Sequence, residues 1–240
     1  MEKTSVSKSA KKTKPTANME NTEQRHLRIY KEIRERISLL KYTPGTVLSE
    51  TELASEFEVS RTPIRRVLQR LHHEGLTEIR NGIGTIVKDI DLKTLKEIYD
   101  LRMHLAELMG ELSPTEFTKP QLDALRQLLK DAKALKKQPD YVAYARLCNN
   151  LEDVILTMIG STPLREITDI LYYRVSRIWF TFLPHLKWNE IVSFQEEEIT
   201  SMIEAVKRND LKGVGQIRRL HLHGILTYLS NYLTDQATGS

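Results

Sequence analysis

The sequence predicts a mainly α-helical protein: a winged helix-turn-helix of three helices plus a β-hairpin, joined to an all-α bundle of six helices. Three observations predict it. Apolar residues recur at three- and four-residue steps through most of the chain. One stretch, "LTEIRNGIGTIV", instead alternates around Asn81-Gly82, as two short strands about a tight turn would. The periodic runs are separated by chain breakers: Pro44-Gly45, Ser113-Pro114, Pro120, Pro139, Gly160 to Pro163, Pro184 and Asn209-Asp210.

Residues 1–22 have almost no apolar content and several lysines, which predicts a disordered basic arm. A first helix is expected from Glu23 to Leu40, with Leu27, Ile29, Ile33, Ile37 and Leu40 as its apolar stripe. Ser49 to Glu52 has the form of a capping box opening a short helix through Phe57, whose Leu53, Ala54 and Phe57 turn inward. After Glu58-Val59, Ser60 offers a second N-cap and Pro63 is tolerated in the first turn. That helix runs to Glu74, where Gly75 stops it. With the hairpin, residues 23–90 form one unit. Residues 91–235 form the other, with helices near 91–112, 119–137, 139–160, 163–185, 189–208 and 210–233.

At 240 residues, 40% hydrophobic and 28% charged, the composition is that of a soluble globular protein. No run approaches the roughly 20 apolar residues of a membrane span, and the N-terminus lacks a secretory h-region. A single cysteine, Cys148, excludes an internal disulfide framework and fits a cytoplasmic setting. Residues 1–90 carry 17 Lys+Arg against 12 Asp+Glu, a balance of +5, and the rest 19 against 20, a balance of −1. The basic excess therefore sits wholly in the first 90 residues, as in a polyanion-binding segment attached to a neutral one.

The third helix sharpens this. Val59, Ile64, Val67, Leu68 and Leu71 make its apolar stripe, while Arg61, Arg65 and Gln69, spaced by four, share another face beside Thr62, Arg66 and Arg70. A helix docked by one side and arginine-rich on the other suits a DNA major groove, where Arg pairs with guanine and Ser or Thr hydroxyls hold phosphates. Arg61 and Arg65 must then stand within reach of a duplex. Their sequestration against the chain's own acids, beyond the reach of any duplex, would exclude the role.

The run "GTVLSETELASEFEVSRTPIRRVLQRLHHEGL" from Gly45, followed by "RNGIGTIV", resembles the winged helix-turn-helix of the GntR bacterial transcription regulators, over Arg25–Lys88. The helical remainder is similar to the ligand-sensing domain of the FadR/FCD subfamily, in its VanR-like branch. The resemblance implies DNA contacts at Ser60, Arg61, Thr62 and Arg65, with Gly82 and Gly84 at a wing tip approaching the minor groove. Thr51 stands where many members have Arg, and Arg66 where Glu is usual. The first removes a contact and the second adds positive charge at DNA-facing positions, so a different preferred operator is expected.

The resemblance also implies a bundle pocket. Many members hold a metal there through an Asp and a His four residues apart, plus two later histidines. Cys148, Glu152, Ile199 and His221 align with those positions, so only His221 keeps its usual residue. A divalent metal on Cys148, Glu152 and His221 is disfavoured. The plainer roles are a buried polar network for His221 and core packing for Cys148. Arg102 matches an arginine that points into this pocket, where it meets either a carboxylate ligand or an internal acid such as Glu152. Tyr172, Tyr173, Arg174 and Arg177 form another polar cluster, and Leu92, Leu95, Ile98, Leu105, Leu108, Met109 and Leu112 a core or dimer seam.

The expectation is a homodimeric DNA-binding regulator, a repressor in most such proteins, on a palindromic operator in double-stranded DNA. Its affinity would be tuned by a small carboxylate effector near Arg102, Cys148, Glu152 and His221. The alternative is a ligand-independent regulator whose bundle only dimerises. An enzyme is not expected: no Gly-rich phosphate loop, Ser-His-Asp ordering or well-spaced metal set is present. No cofactor is required.

Overall fold

Asn21 opens the first helix with a reciprocal cap: its side chain accepts from the Glu23 N–H (3.0 Å), and Gln24 accepts from the Asn21 N–H (3.1 Å). The computed structural model describes residues 21–89 and 92–238, with side chains for 21–89 and 93–234. The expected arm thus lies, up to residue 20, outside the described residues, as does the junction at 90 and 91.

Helix α1 (Thr22–Ser38) buries Ile29, Tyr30, Ile33, Arg34 and Ile37. Leu27, expected on the buried stripe, is 44% exposed. Tyr30 and Arg34 are buried instead because α1 packs on two partners, α3 and the bundle helix α7. Helix α2 (Glu50–Glu56) starts with the Ser49 hydroxyl accepting from the Glu52 N–H (3.3 Å), the half of the expected capping box that forms. Helix α3 (Arg61–His73) follows Ser60, which holds the N-cap place in extended backbone but makes no side-chain cap bond. At its far end Gly75 takes φ +78°, and the Gly75 and Leu76 N–H groups return to His72 and Leu71 carbonyls (both 2.9 Å).

Strands β1 (Thr77–Arg80) and β2 (Gly84–Val87) pair antiparallel, with Thr77 opposite Val87 and Arg80 opposite Gly84. The connection is therefore three residues, 81–83, rather than the two-residue Asn-Gly turn expected; Gly82 at φ +77° supplies the left-handed position it needs. The segment before α2 lies along β2, with the Leu48 N–H on the Thr85 carbonyl (2.8 Å).

The bundle comprises α4 (Leu92–Glu107, continued by a 3-10 turn Leu108–Gly110), α5 (Lys119–Leu135), α6 (Tyr141–Met158), α7 (Thr162–Phe182), α8 (Trp188–Lys207) and α9 (Leu211–Thr238). These match the six helices expected, each within a few residues at its ends apart from α9, which runs further than expected. Helix α9 packs on α4 and α8, α5 joins α6 to α8, and α7 lies against α4, α6 and α1. Leu95, Ile98 and Met109 are buried as the stripe required, whereas Leu112 is 42% exposed. No helix among the described residues is long and apolar enough to cross a membrane.

Candidate nucleic-acid interface and bundle interior

Helix α3 is fixed by one face, with Ile64, Val67, Leu68 and Leu71 buried. On its other faces Ser60, Arg61, Thr62, Arg65, Arg66 and Gln69 are exposed, as are Thr51 on α2 and Gly82 and Gly84 in the wing. Every residue proposed from the sequence to touch DNA thus lies on the surface of one small unit. A cleft of about 510 Å³ separates α3 from the wing, lined by Thr51, Arg61, Arg65, Gln69, Ile83 and Gly84 among others. A groove of about 930 Å³ on the other side is lined by His26, Ser60, Thr62 and Arg66, among others, beside the N-termini of α1 and α3. Helix N-termini carry free N–H donors and attract phosphate.

Arg61 and Arg65 are not free of acids. Arg61 Nη2 donates to Glu50 Oε2 (2.9 Å), while Arg65 grips both oxygens of the same carboxylate, Nε on Oε1 (3.0 Å) and Nη2 on Oε2 (2.9 Å). The geometry decides what this means. The arginine side chains stay 60% and 57% exposed, whereas Glu50 is 26% exposed. The acid therefore sits beneath the two guanidinium groups and leaves their outer N–H donors to solvent. Each guanidinium has five donors, so pairing with Glu50 leaves several unused. Hydrogen bonds from Arg65 and Arg61 hold the Glu50 carboxyl down at about 2, so it stays charged. Glu50 escaped the sequence reading because it lies 11 and 15 residues before its partners; Ile83, 55% exposed at the wing tip, escaped it too.

In the bundle interior Arg102, Glu152, Glu198, Arg218 and His221 are all buried. Arg218 donates to Glu198 through Nη1 (2.9 Å) and to Glu152 through Nη2. Arg102 Nη2 also reaches Glu152 Oε2 (3.4 Å), so the internal acid is its partner here. His221 Nε2 faces Glu198 (3.2 Å), and its ring stacks on Phe194. Arg102 Nε, Glu152 Oε1 and His221 Nδ1 are buried without hydrogen-bond partners. The adjoining cavity, lined by Tyr99, Arg102, Cys148, Tyr172, Trp179 and His221 among others, is about 30 Å³, the share of one water. Glu198 and Arg218 were not foreseen. The signal that could have found them is their three-residue spacing from Gln195 and His221, on faces that also carry buried apolar residues.

The metal suggested by the FCD-like pattern does not fit these residues. Ile199 is fully buried and offers no donor atom. Burial pushes the Cys148 thiol up to about 12, which keeps it protonated, and Sγ donates to Gln195. Glu152 faces two guanidinium groups and His221 faces Glu198. Among the described residues no group of three or more His, Cys, Asp or Glu is arranged to hold a metal ion.

Burial, opposed by Glu198 and assisted by Arg218 and Arg102, pushes His221 down to about 4 from its ordinary 6.5. A depressed histidine means that the unfolded chain takes up its proton first. Stability is then full above pH 6.5 and falls as pH drops toward 4, by on the order of 3 kcal/mol. Urea midpoints measured across that window should fall in the wild type and much less in His221→Asn; equal slopes in both would place the acid sensitivity elsewhere.

Among the described residues the two units meet where α1 packs against α7. Arg34 on α1 pairs with Asp169 on α7 (2.5 Å) and lies over the Tyr173 ring (3.7 Å). Ser38 on α1 donates to Asn149 Oδ1 (3.3 Å), which also accepts from the Tyr172 hydroxyl (2.7 Å). Arg177 on α7 donates to the Lys88 carbonyl after the wing (2.6 Å). Tyr172 thus touches both the cavity and the DNA-facing unit.

The sequence matches the family described as "Bacterial regulatory proteins, gntR family" over residues 25–87, and "FCD domain" over residues 97–224. YdhC of Bacillus subtilis (strain 168), named an uncharacterized HTH-type transcriptional regulator, is 27% identical over 145 residues, 60% of this chain and 65% of that protein. The match thus spans just under two thirds of that relative. The HTH-type transcriptional repressor RspR of Escherichia coli (strain K12) is 26% identical over 198 residues, 82% of this chain and 85% of that one. The solved structure of E. coli McbR/YncC has the same fold: TM-score 0.73 at 19% identity, covering 87% of this chain and 98% of that one.

Proposed function

The chain belongs to the GntR family of bacterial regulatory proteins, as a DNA-binding transcriptional regulator with an FCD domain rather than an enzyme, and from that premise we propose that it is a cytoplasmic, homodimeric repressor. The observation that carries the DNA side is the outward pair Arg61 and Arg65, held by Glu50 at the mouth of the cleft between α3 and the wing. Each guanidinium fork suits guanine O6 and N7 in a major groove. Ser60, whose hydroxyl makes no cap bond, and Thr62 are placed for phosphates together with the free N–H groups of the α3 N-terminus. Arg66 adds a cation on the side facing α1, Thr51 extends the same face from α2, and Gly82 and Gly84 let the wing approach the minor groove closely. Two copies would set their α3 helices about one DNA turn apart, roughly 34 Å, and so read a dyad. The repressor sense is carried over from the relative RspR.

In this proposal the effector is a small carboxylate that meets Arg102 in the bundle, beside Cys148, Glu152 and His221. A cavity of about 30 Å³ cannot hold one, so its entry must open the interior and draw Arg102 from Glu152. The shift it produces can be no larger than its differential affinity for the two states. The closed cavity also favours the second reading, a bundle that only dimerises.

Selection of duplexes from a random library by the full chain tests the first part. The expected product is a dyad with half-sites one turn apart; an asymmetric site would remove the dimer reading. A thermal-shift screen with acetate, succinate, citrate and gluconate tests the second. A rise in Tm accompanied by a changed operator affinity supports effector control, and a flat screen selects the ligand-blind bundle.

A further inference from the structure

The bundle holds its own cation where the aligned positions of the FCD-like pattern would place a metal ion. Those positions fall on α6 (Cys148, Glu152), α8 (Ile199) and α9 (His221). The Arg218 guanidinium rises from α9 between the same three helices, with Nη2 on Glu152 of α6 and Nη1 on Glu198 of α8. It thereby ties together what a tetrahedral ion on those helices would tie. Both carboxylates are buried, Glu152 at 1% and Glu198 at 3% exposure, so each requires a nearby positive charge. Two arginines and two glutamates make the interior charge-neutral with His221 uncharged. A divalent ion added to that set would leave it with two unbalanced positive charges in a low-dielectric site.

We propose that Arg218 is a built-in replacement for a metal ion, so that this bundle folds and holds its shape without one, and that removing the guanidinium uncovers a latent divalent-metal site made by Glu152, Glu198 and His221. The chemistry is balanced. Two carboxylates and one neutral imidazole are an acceptable set for Zn²⁺ or Mn²⁺, with water completing the coordination. Their three helices are already brought together by one buried apolar cluster, through Leu151 of α6, Ile199 and Met202 of α8 and Val214 of α9. The proposal does not depend on an effector. It concerns what holds the interior together, and it would stand even if the bundle were ligand-blind.

The test is a melting series on the full chain with EDTA, ZnCl₂, NiCl₂ or MnCl₂, for wild type, Arg218→Ala and Arg218→Lys. Wild-type Tm should move by less than about 1 °C with EDTA or with metal at a few equivalents. Arg218→Ala should melt about 6–20 °C lower, since it leaves two buried carboxylates without their main partner. It should recover a substantial part of that loss with at least one of the metals, and bind that metal at one equivalent by calorimetry. Arg218→Lys, which restores a charge but not the two-armed bridge, should fold and remain insensitive to metal. If Arg218→Ala proves too unstable to purify, refolding it from urea with and without metal gives the same comparison. A wild type that is purified with a stoichiometric metal, or is stabilised by one, overturns the proposal. So does an Arg218→Ala chain that metal fails to stabilise or to refold.

Discussion

Replacing Arg61 and Arg65 together by alanine is expected to lower affinity for the selected operator by about two to four orders of magnitude, with little change in Tm. The loss is large because each guanidinium presents a fork suited to one base pair, and removal of one such contact lowers affinity about 10- to 100-fold. Stability should hardly respond, since both side chains are more than half exposed and exposed ion pairs contribute little. Discrimination should suffer more than bulk attachment. Binding to scrambled duplex rests on phosphate contacts, which Ser60, Thr62, Arg66 and the helix N-termini would still supply. Glu50→Ala provides the complementary experiment. It leaves both arginines but removes the carboxylate that orders them and one negative charge from the DNA-facing side. Scrambled-duplex affinity should rise as operator preference narrows. Fluorescence anisotropy on both duplexes at two salt concentrations separates these effects. Operator binding by the double variant at wild-type strength would remove the pair from the interface, and with it the recognition role given to α3.

What the sequence disclosed and what it withheld follow from how far apart the cooperating residues are. Helix positions were legible because the 3.6-residue period and the breakers are local signals. The recognition face was legible for the same reason: Arg61, Arg65 and Gln69 lie on one helix. The acid beneath it was not, because Glu50 belongs to another helix, and its approach depends on the α2–α3 turn at Glu58, where φ is +53°. Helix α1 shows a different failure. An apolar stripe identifies one buried side, but α1 is covered on two, so Tyr30 and Arg34 are buried while Leu27 faces solvent. The bundle interior was the least legible. Glu198 ends a run of three glutamates and Arg218 begins an arginine pair, and such runs ordinarily mark solvated faces. Glu196 and Glu198 of that run are both buried, and only the meeting of α6, α8 and α9 brings Glu198 and Arg218 together. Arg102 was foreseen in the pocket with Glu152 as one possible partner. That Arg218 would hold the same glutamate required the fold.

Arg34→Ala is expected to separate the melting of the two units while leaving operator binding at low temperature nearly intact. Arg34 is the point where three elements meet. From α1 it reaches Asp169 (2.5 Å) and the face of Tyr173 (3.7 Å) on α7, and it donates to the Tyr30 hydroxyl (2.9 Å). Tyr30 in turn donates to Glu74 at the end of α3 (2.8 Å), which also pairs with Arg70 (2.8 Å). Alanine would leave Asp169 without its cation and Tyr173 without its cover. Asp169 is partly exposed, so water compensates in part, and the loss should be about 2–4 kcal/mol, below that of a fully buried pair. Because Tyr172 and Tyr173 belong to the hydrophobic core of the DNA-facing unit, wild-type unfolding should be one calorimetric transition. In the variant that unit should melt first, about 5–15 °C below the wild type, and the bundle afterwards. Operator affinity should change only a few-fold, since Arg34 is buried away from the exposed face of α3. The same variant tests coupling. Tyr172 faces the bundle cavity and stands edge-on to Tyr173 (ring centroids 5.0 Å apart), so any carboxylate that alters operator affinity in the wild type must act across this junction. In Arg34→Ala that carboxylate should still raise the bundle's Tm but no longer shift DNA binding. A single transition at the wild-type temperature, with the ligand effect on DNA unchanged, would show that α1 and α7 are joined by something other than this arginine.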